Sequence, residues 1–252
     1  MHKYLLFLLI TSNFFAQQNK RELVWQEDFN GTTLNEDVWN FELGDGCPKI
    51  CGWGNNEKQL YTNTNHYVKG GNLVISIEKK EDHYTSTRIT TAGHKEFQYG
   101  KIEVRAKIPT GKGIWPAFWM LGSNIGKVGW PQCGEIDILE YVGREPSKVF
   151  TSLHTQDSHG KTINTKVTDI KTIEEGFHVY AIDWTKDKIE FFVDHQSVYV
   201  FAPSNKNENT WPYNQPFYFI INTAVGGDFG GHDIDDAIFP QQFIIDYIKV
   251  YQ

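Results

Sequence analysis

Lys101-Ile102-Glu103-Val104-Arg105-Ala106-Lys107-Ile108 alternates without a break: Ile102, Val104, Ala106 and Ile108 fall on one side, Lys101, Glu103, Arg105 and Lys107 on the other. An extended chain turns successive side chains to opposite faces, so this octet predicts a β-strand with one buried face. Working outward, Leu73-Ile75-Ile77 and Ile189-Phe191-Val193 repeat the pattern. Between such runs lie turn clusters, Lys69-Gly70-Gly71-Asn72 and Pro109-Thr110-Gly111-Lys112-Gly113 among them. Only Thr168 to Glu175 reads as a short helix. Many short strands joined by glycine-rich turns predict an all-β sandwich of two packed antiparallel sheets.

The chain has 252 residues and shows no linker, repeat or low-complexity stretch, which favours one domain. Met1-His2-Lys3 followed by the apolar run Tyr4 to Ile10 reads as a secretory signal, too short to span a bilayer. We expect cleavage after Ala16, leaving a single domain over 17–252, secreted to the extracellular space or periplasm. No Cys follows the apolar run, which argues against a lipid anchor. Loss of residues 1–16 removes one lysine and takes the net charge from −7 to −8. A chain this acidic, without a run of Lys and Arg, repels nucleic acid, acidic membrane surfaces and sulfated polysaccharides. A neutral substrate fits better.

Three cysteines in an exported chain suggest one bridge and one leftover thiol. Cys47 and Cys51 have a spacing that a tight loop can close. The same spacing could open a zinc site, although no second Cys or His pair stands at ligand spacing. Cys133 reads as a buried small residue.

Aromatic residues make up 15% of the chain, with eight Trp. Most will fill the core. In Trp115-Pro116-Ala117-Phe118-Trp119, however, the two indoles share a strand face. A pair of rings on one face suits stacking on pyranose rings.

The chemistry concentrates in Gly134-Glu135-Ile136-Asp137-Ile138-Leu139-Glu140. On a regular strand Glu135 and Asp137 share a face while Glu140 points the other way. A helix does not unite the three either. One extra residue, a β-bulge, corrects the parity and brings Glu140 onto the same face. A solvated surface strand is the bland alternative, but Ile136, Ile138 and Leu139 imply a buried opposite face. Acids this close push one another's pKa up, which gives a glycosidase its one carboxylate and one carboxylic acid. Calcium is the chemical rival, and three acids on one strand make it a poor cage.

Glu-Ile-Asp-Ile-Leu-Glu resembles the active-site signature of glycoside hydrolase family 16 in its bulged form. The likeness extends from about Trp25 to Tyr251. It is carried by Gly52-Trp53-Gly54-Asn55-Asn56-Glu57, Tyr99 to Ala106, Trp115 to Met120, Ala224-Val225-Gly226-Gly227 and Asp246 to Tyr251. Within the family these segments look most like bacterial laminarinases, which cut β-1,3-glucan. Glu57-Lys58-Gln59-Leu60-Tyr61-Thr62 departs from the pattern of that branch.

The resemblance implies a β-jelly roll with an open substrate cleft. It assigns Glu135 as nucleophile, Glu140 as general acid/base and Asp137 as the group between them. It implies substrate contacts from Asn56, Arg88, Trp115, Trp119, Trp130 and His154. Read without it, Arg88 is a surface charge and His154 a core histidine as readily as ligands. The resemblance also implies a structural calcium at Glu27, Gly71 and Asp246. Residue reading adds that Asp246 stands in a strand apolar on both faces, where an unpaired carboxylate is costly. We expect no cofactor for catalysis, a monomer, and a neutral β-glucan as partner. Mixed-linkage glucanase is the near alternative; agarase, carrageenase and a noncatalytic carbohydrate-binding jelly roll are more distant. The residue Leu139 inside the acid motif favours the laminarinase reading.

Overall fold

The computed structural model describes residues 21–252; the expected signal segment 1–16 lies outside them. Two sheets face each other across one apolar core. The first runs in the order Gln196–Phe201, Ile189–Val193, His178–Trp184, Gly100–Lys107, Gln241–Tyr251, Leu73–Lys80, His83–Ser86, Gln59–Tyr61. Leu23–Glu27 pairs with Gln241–Tyr251, and His66–Val68 with Leu73–Lys80. The second sheet runs Thr165–Asp169, Lys148–His154, Glu135–Glu140, Ile114–Gly122, Phe217–Val225, Arg88–Thr90, Asn40–Phe41, with Glu96–Phe97 also on Phe217–Val225. Pairing is antiparallel except between Gln59–Tyr61 and His83–Ser86, which lie parallel.

The alternation in Lys101 to Ile108 is realised as read. Ile102, Val104 and Ala106 are fully buried, and their strand is central, between His178–Trp184 and Gln241–Tyr251. Large rings close the gap between the sheets: Trp184 meets Phe217 at 5.3 Å and Trp25 meets Phe219 at 5.9 Å between centroids. The Lys69 to Asn72 turn joins two paired strands through Gly70 (φ 60°) and Gly71 (φ 74°). Positive φ at both central positions is the tight-hairpin geometry that glycine enters without steric cost.

Thr168 to Glu175 does not form a helix. Thr165–Asp169 is an edge strand on Lys148–His154, with Val149 opposite Thr168, and the chain then turns so that Ile173 enters the core. Ladder hydrogen bonds and that buried side chain outweigh a weak local helix preference. The α-helices among the described residues are the four-residue turns Ile125–Val128 and Gly227–Gly230. No helix of the described residues is long and apolar enough to cross a membrane.

Candidate active site

The second sheet turns one face to the core and the other outward. Phe118 and Met120 of Ile114–Gly122, and Phe217, Phe219 and Ile221 of Phe217–Val225, belong to the core. Trp115, Trp119 and Asn222 therefore point to the outer face. In Glu135–Glu140 the parity breaks. Ile136, Ile138 and Leu139 all enter the core, two of them consecutive. Phe118 pairs with Leu139 but Trp119 with Asp137, so Ile138 has no partner across that ladder. On the other side Asp137 faces Ser152 and Glu140 faces Phe150, with the register shifted between them. This is the expected bulge, and it sets Glu135, Asp137 and Glu140 on one face. Gly134 leads into the strand at φ 78°, with Pro212 Cγ 2.8 Å from where a Cβ would stand, so no side chain fits there.

Each glutamate has its own indole donor. Trp130 Nε1–H donates to Glu135 Oε2 at 2.7 Å, and Trp115 Nε1–H donates to Glu140 Oε1 at 3.1 Å. His154 Nε2 stands 3.6 Å from Glu135 Oε1 and 3.1 Å from Asp137 Oδ2, the latter without hydrogen-bond alignment. Gly160 N–H donates to His154 Nδ1 at 3.2 Å, which in the neutral ring places the proton on Nε2, toward the acids.

Burial, then the Asp137 charge, pushes Glu135 up to about 8, against the opposing pull of His154 and the Trp130 N–H. Glu140 is driven well above the ordinary carboxylate range, first by burial and then by Asp137. For His154 burial acts downward, but the surrounding carboxylates win and raise it to about 10. A second proton on Nδ1 would have to displace the Gly160 hydrogen bond. The site thus holds two glutamates whose carboxyls are both raised, with the His154 ring facing Glu135 and working against part of that rise.

Trp115 and Trp119 lie half-buried on the outer face, as their even spacing requires, and Trp130 is 44% exposed. Arg88 is not a surface charge. It is 8% exposed, bonded through Nε to Glu42 Oε2 at 2.5 Å, and stacked between Trp53 at 4.5 Å and Trp119 at 4.9 Å. Its guanidinium is shared between one carboxylate and two indole faces. Asn56 is exposed and donates to both carboxylate oxygens of Asp228, at 3.0 and 3.1 Å.

Residue reading missed a polar group beside the acids: Glu42, Glu57, Gln59, Tyr61 and Asn222. Two signals were available. Glu57, Gln59 and Tyr61 share a face at period two, and Asn222 interrupts an apolar strand where a polar side chain needs a partner. Cys47 and Cys51 are bridged. Cys133 is buried, and that burial raises its thiol to about 12, so it carries no nucleophile.

Asp246 is not an unpaired carboxylate. It pairs with Arg105 through Oδ2 and is partly exposed. Glu27 takes the Phe29 N–H on Oε1 at 3.1 Å and the Trp39 indole on Oε2 at 3.3 Å. Gly71 lies beside the Asp28 carbonyl, 3.9 Å from where a Cβ would stand. Two carboxylates and a turn carbonyl are ligands that a hard cation accepts, so the donor chemistry fits although its charge is already partly balanced.

Residues 54–249 match the family model described as Glycosyl hydrolases family 16. The crystal structure of laminarinase from Flavobacterium sp. UMI-01 is 71% identical, with a TM-score of 0.91 over 92% of this chain and 100% of that one. The laminarinase catalytic domain from Thermotoga maritima MSB8 is 42% identical, TM-score 0.88, over 92% and 98%. "Beta-glucanase" of Rhodothermus marinus is 38% identical over 249 residues, 92% of this chain and 85% of the relative.

Proposed function

The chain belongs to glycosyl hydrolases family 16, is a glycoside hydrolase of laminarinase type, and, we propose, cuts β-1,3-glucan internally with retention of the anomer after export from the cell. The observation that carries this reading is the bulge between Asp137 and Glu140, which brings two indole-bonded glutamates to one face with an aspartate between them. A noncatalytic binding jelly roll would need none of the three acids.

Double displacement follows from the two environments. Glu140, held protonated by burial and its acidic neighbours, gives its proton to the glycosidic oxygen as Glu135 attacks the anomeric carbon. Burial opposes the ionised Glu135 that this attack requires, and the Trp130 N–H and a protonated His154 favour it. The leaving chain departs and a glycosyl ester on Glu135 remains. Glu140, now a carboxylate, takes a proton from water, which attacks the same carbon and frees Glu135. Two inversions make one retention.

The acidic, cation-poor chain favours a neutral polymer, and the laminarinase relatives favour β-1,3-glucan over mixed-linkage glucan. Work as a monomer and a structural calcium at Glu27, Gly71 and Asp246 belong to the same proposal. Reducing-sugar release from laminarin by the wild type, and none by Glu135→Ser, tests it; equal release by both would remove Glu135 from its role.

A further inference from the structure

Trp119 is oriented by a chain of hydrogen bonds whose direction is fixed at every link. Its indole N–H can only donate, and at 2.8 Å it meets Asn222 Oδ1. The Asn222 amide is thereby set, with Nδ2 toward Tyr61 OH at 2.9 Å. Tyr61 OH accepts that bond, so its own proton goes outward, to Glu57 Oε2 at 3.2 Å. Glu57 ends the chain as an acceptor. It is also held by Gln59 Nε2 at 2.7 Å and by Asn55 Nδ2, on Oε1, at 3.2 Å. Tyr61 and Asn222 are almost fully buried, 2% and 5% exposed, so water does not supply substitutes. Beside Trp119, the Arg88 guanidinium bridges it to Trp53, whose ring meets Tyr61 edge-on at 5.3 Å.

We propose that Glu57 and Tyr61 are positioning residues: through Asn222 they lock the Trp119 ring at the one tilt that stacks on a sugar beside the acids. This inference rests on the glucan-hydrolase reading of the cleft. Tyr61 is buried, and the Glu57 oxygens are taken by Asn55, Gln59 and Tyr61. Both act on affinity through the ring, so they govern KM while the acids govern kcat. A ring freed from its N–H bond samples other tilts, and each sugar must then order it on binding.

A double-mutant cycle on laminarihexaose tests this. Tyr61→Phe removes the relay hydroxyl while keeping the buried ring, and Trp119→Phe removes the N–H it serves. Tyr61→Phe should raise KM about fivefold, the equivalent of one uncharged hydrogen bond, with kcat within about twofold of wild type. In the Trp119→Phe background the same change should leave KM as it was, because the relay has nothing to orient. Glu57→Leu, which leaves the Tyr61 proton without an acceptor, should reproduce the KM effect of Tyr61→Phe with an unmoved pH profile. Wild-type turnover of laminarihexaose keeps the functional reading intact whatever the cycle gives. Additive effects of Tyr61→Phe and Trp119→Phe, or a loss confined to kcat, would overturn the relay. So would a fall in melting temperature that accounts for the lost activity.

Discussion

His154 stands opposite Glu135 in strand register, its Nε2 3.6 Å from Glu135 Oε1, so a proton gained at Nδ1 sets a cation against the carboxylate proposed to attack. A positive neighbour lowers a carboxylate pKa, and its removal must raise it. His154→Asn should therefore move the acidic limb of kcat/KM to higher pH, by about one unit on the usual scale for a charge at this range. The pH–rate profile of the variant checks it. An acidic limb that stays where it was would mean His154 carries no charge in the working enzyme.

Glu135 is destabilising to the fold where it is useful to the chemistry. Its folded value is raised to about 8 from an ordinary 4.5, chiefly by burial. The protonated form is thus favoured in the folded state. The stability it contributes is complete below about 4.5 and is lost as pH rises through about 8. Glu135→Gln cannot ionise and escapes the loss. Its melting temperature should exceed that of wild type by a margin that widens from pH 5 to pH 8. Parallel melting temperatures across that range would contradict the burial account.

The fold was legible because its main signal is local. Lys101 to Ile108 alternates without interruption, and the structure buries its apolar face as the period demands. The bulge was legible because three acids at 135, 137 and 140 cannot share a face without one. What stayed hidden depends on distant partners. Arg88 reads as a surface charge until Glu42 and Trp53, from separate segments, close over it. Asp246 reads as a carboxylate in a strand apolar on both faces because a second irregularity, between Ile245 and Tyr247, reverses the parity there. Phe243 and Ile245 precede it in the core, Ile248 and Val250 follow, and Asp246 reaches Arg105. Thr165–Asp169 became a strand because its β-branched Thr165, Val167 and Thr168 met an open edge on Lys148–His154, a partner that lies outside the segment itself.

A calcium ion at Glu27, Gly71 and Asp246 would tie the first described strand to the last one. A ligand that binds only the folded state stabilises it by mass action, so chelator should lower the melting temperature, by several degrees at saturating metal. Activity well below the transition should hold, since these residues lie on the other sheet from the acids. A melting curve indifferent to chelator would leave Asp246 to Arg105 alone.

Arg88 is already committed to Glu42, and the chain carries a net charge of −7, so an anionic polymer finds repulsion without compensation. Reducing-sugar release should be highest on laminarin, lower on mixed-linkage glucan, and lowest on agarose and carrageenan. Raising salt from low to physiological strength should change the laminarin rate by less than about twofold. Preference for carrageenan, or activity that collapses with salt, would mean that cations shape this cleft after all.

On the proposed mechanism the bulge places Glu135 and Glu140 for two successive displacements at one carbon. Proton NMR of the first-formed product, recorded before mutarotation, reads this directly. Retaining enzymes hold their two carboxyl groups about 5–5.5 Å apart, and inverting enzymes leave room for a water between them. The predicted result is a β-anomer signal that appears first and decays toward the equilibrium mixture. An α-anomer appearing first would contradict the double displacement and the roles assigned to both glutamates.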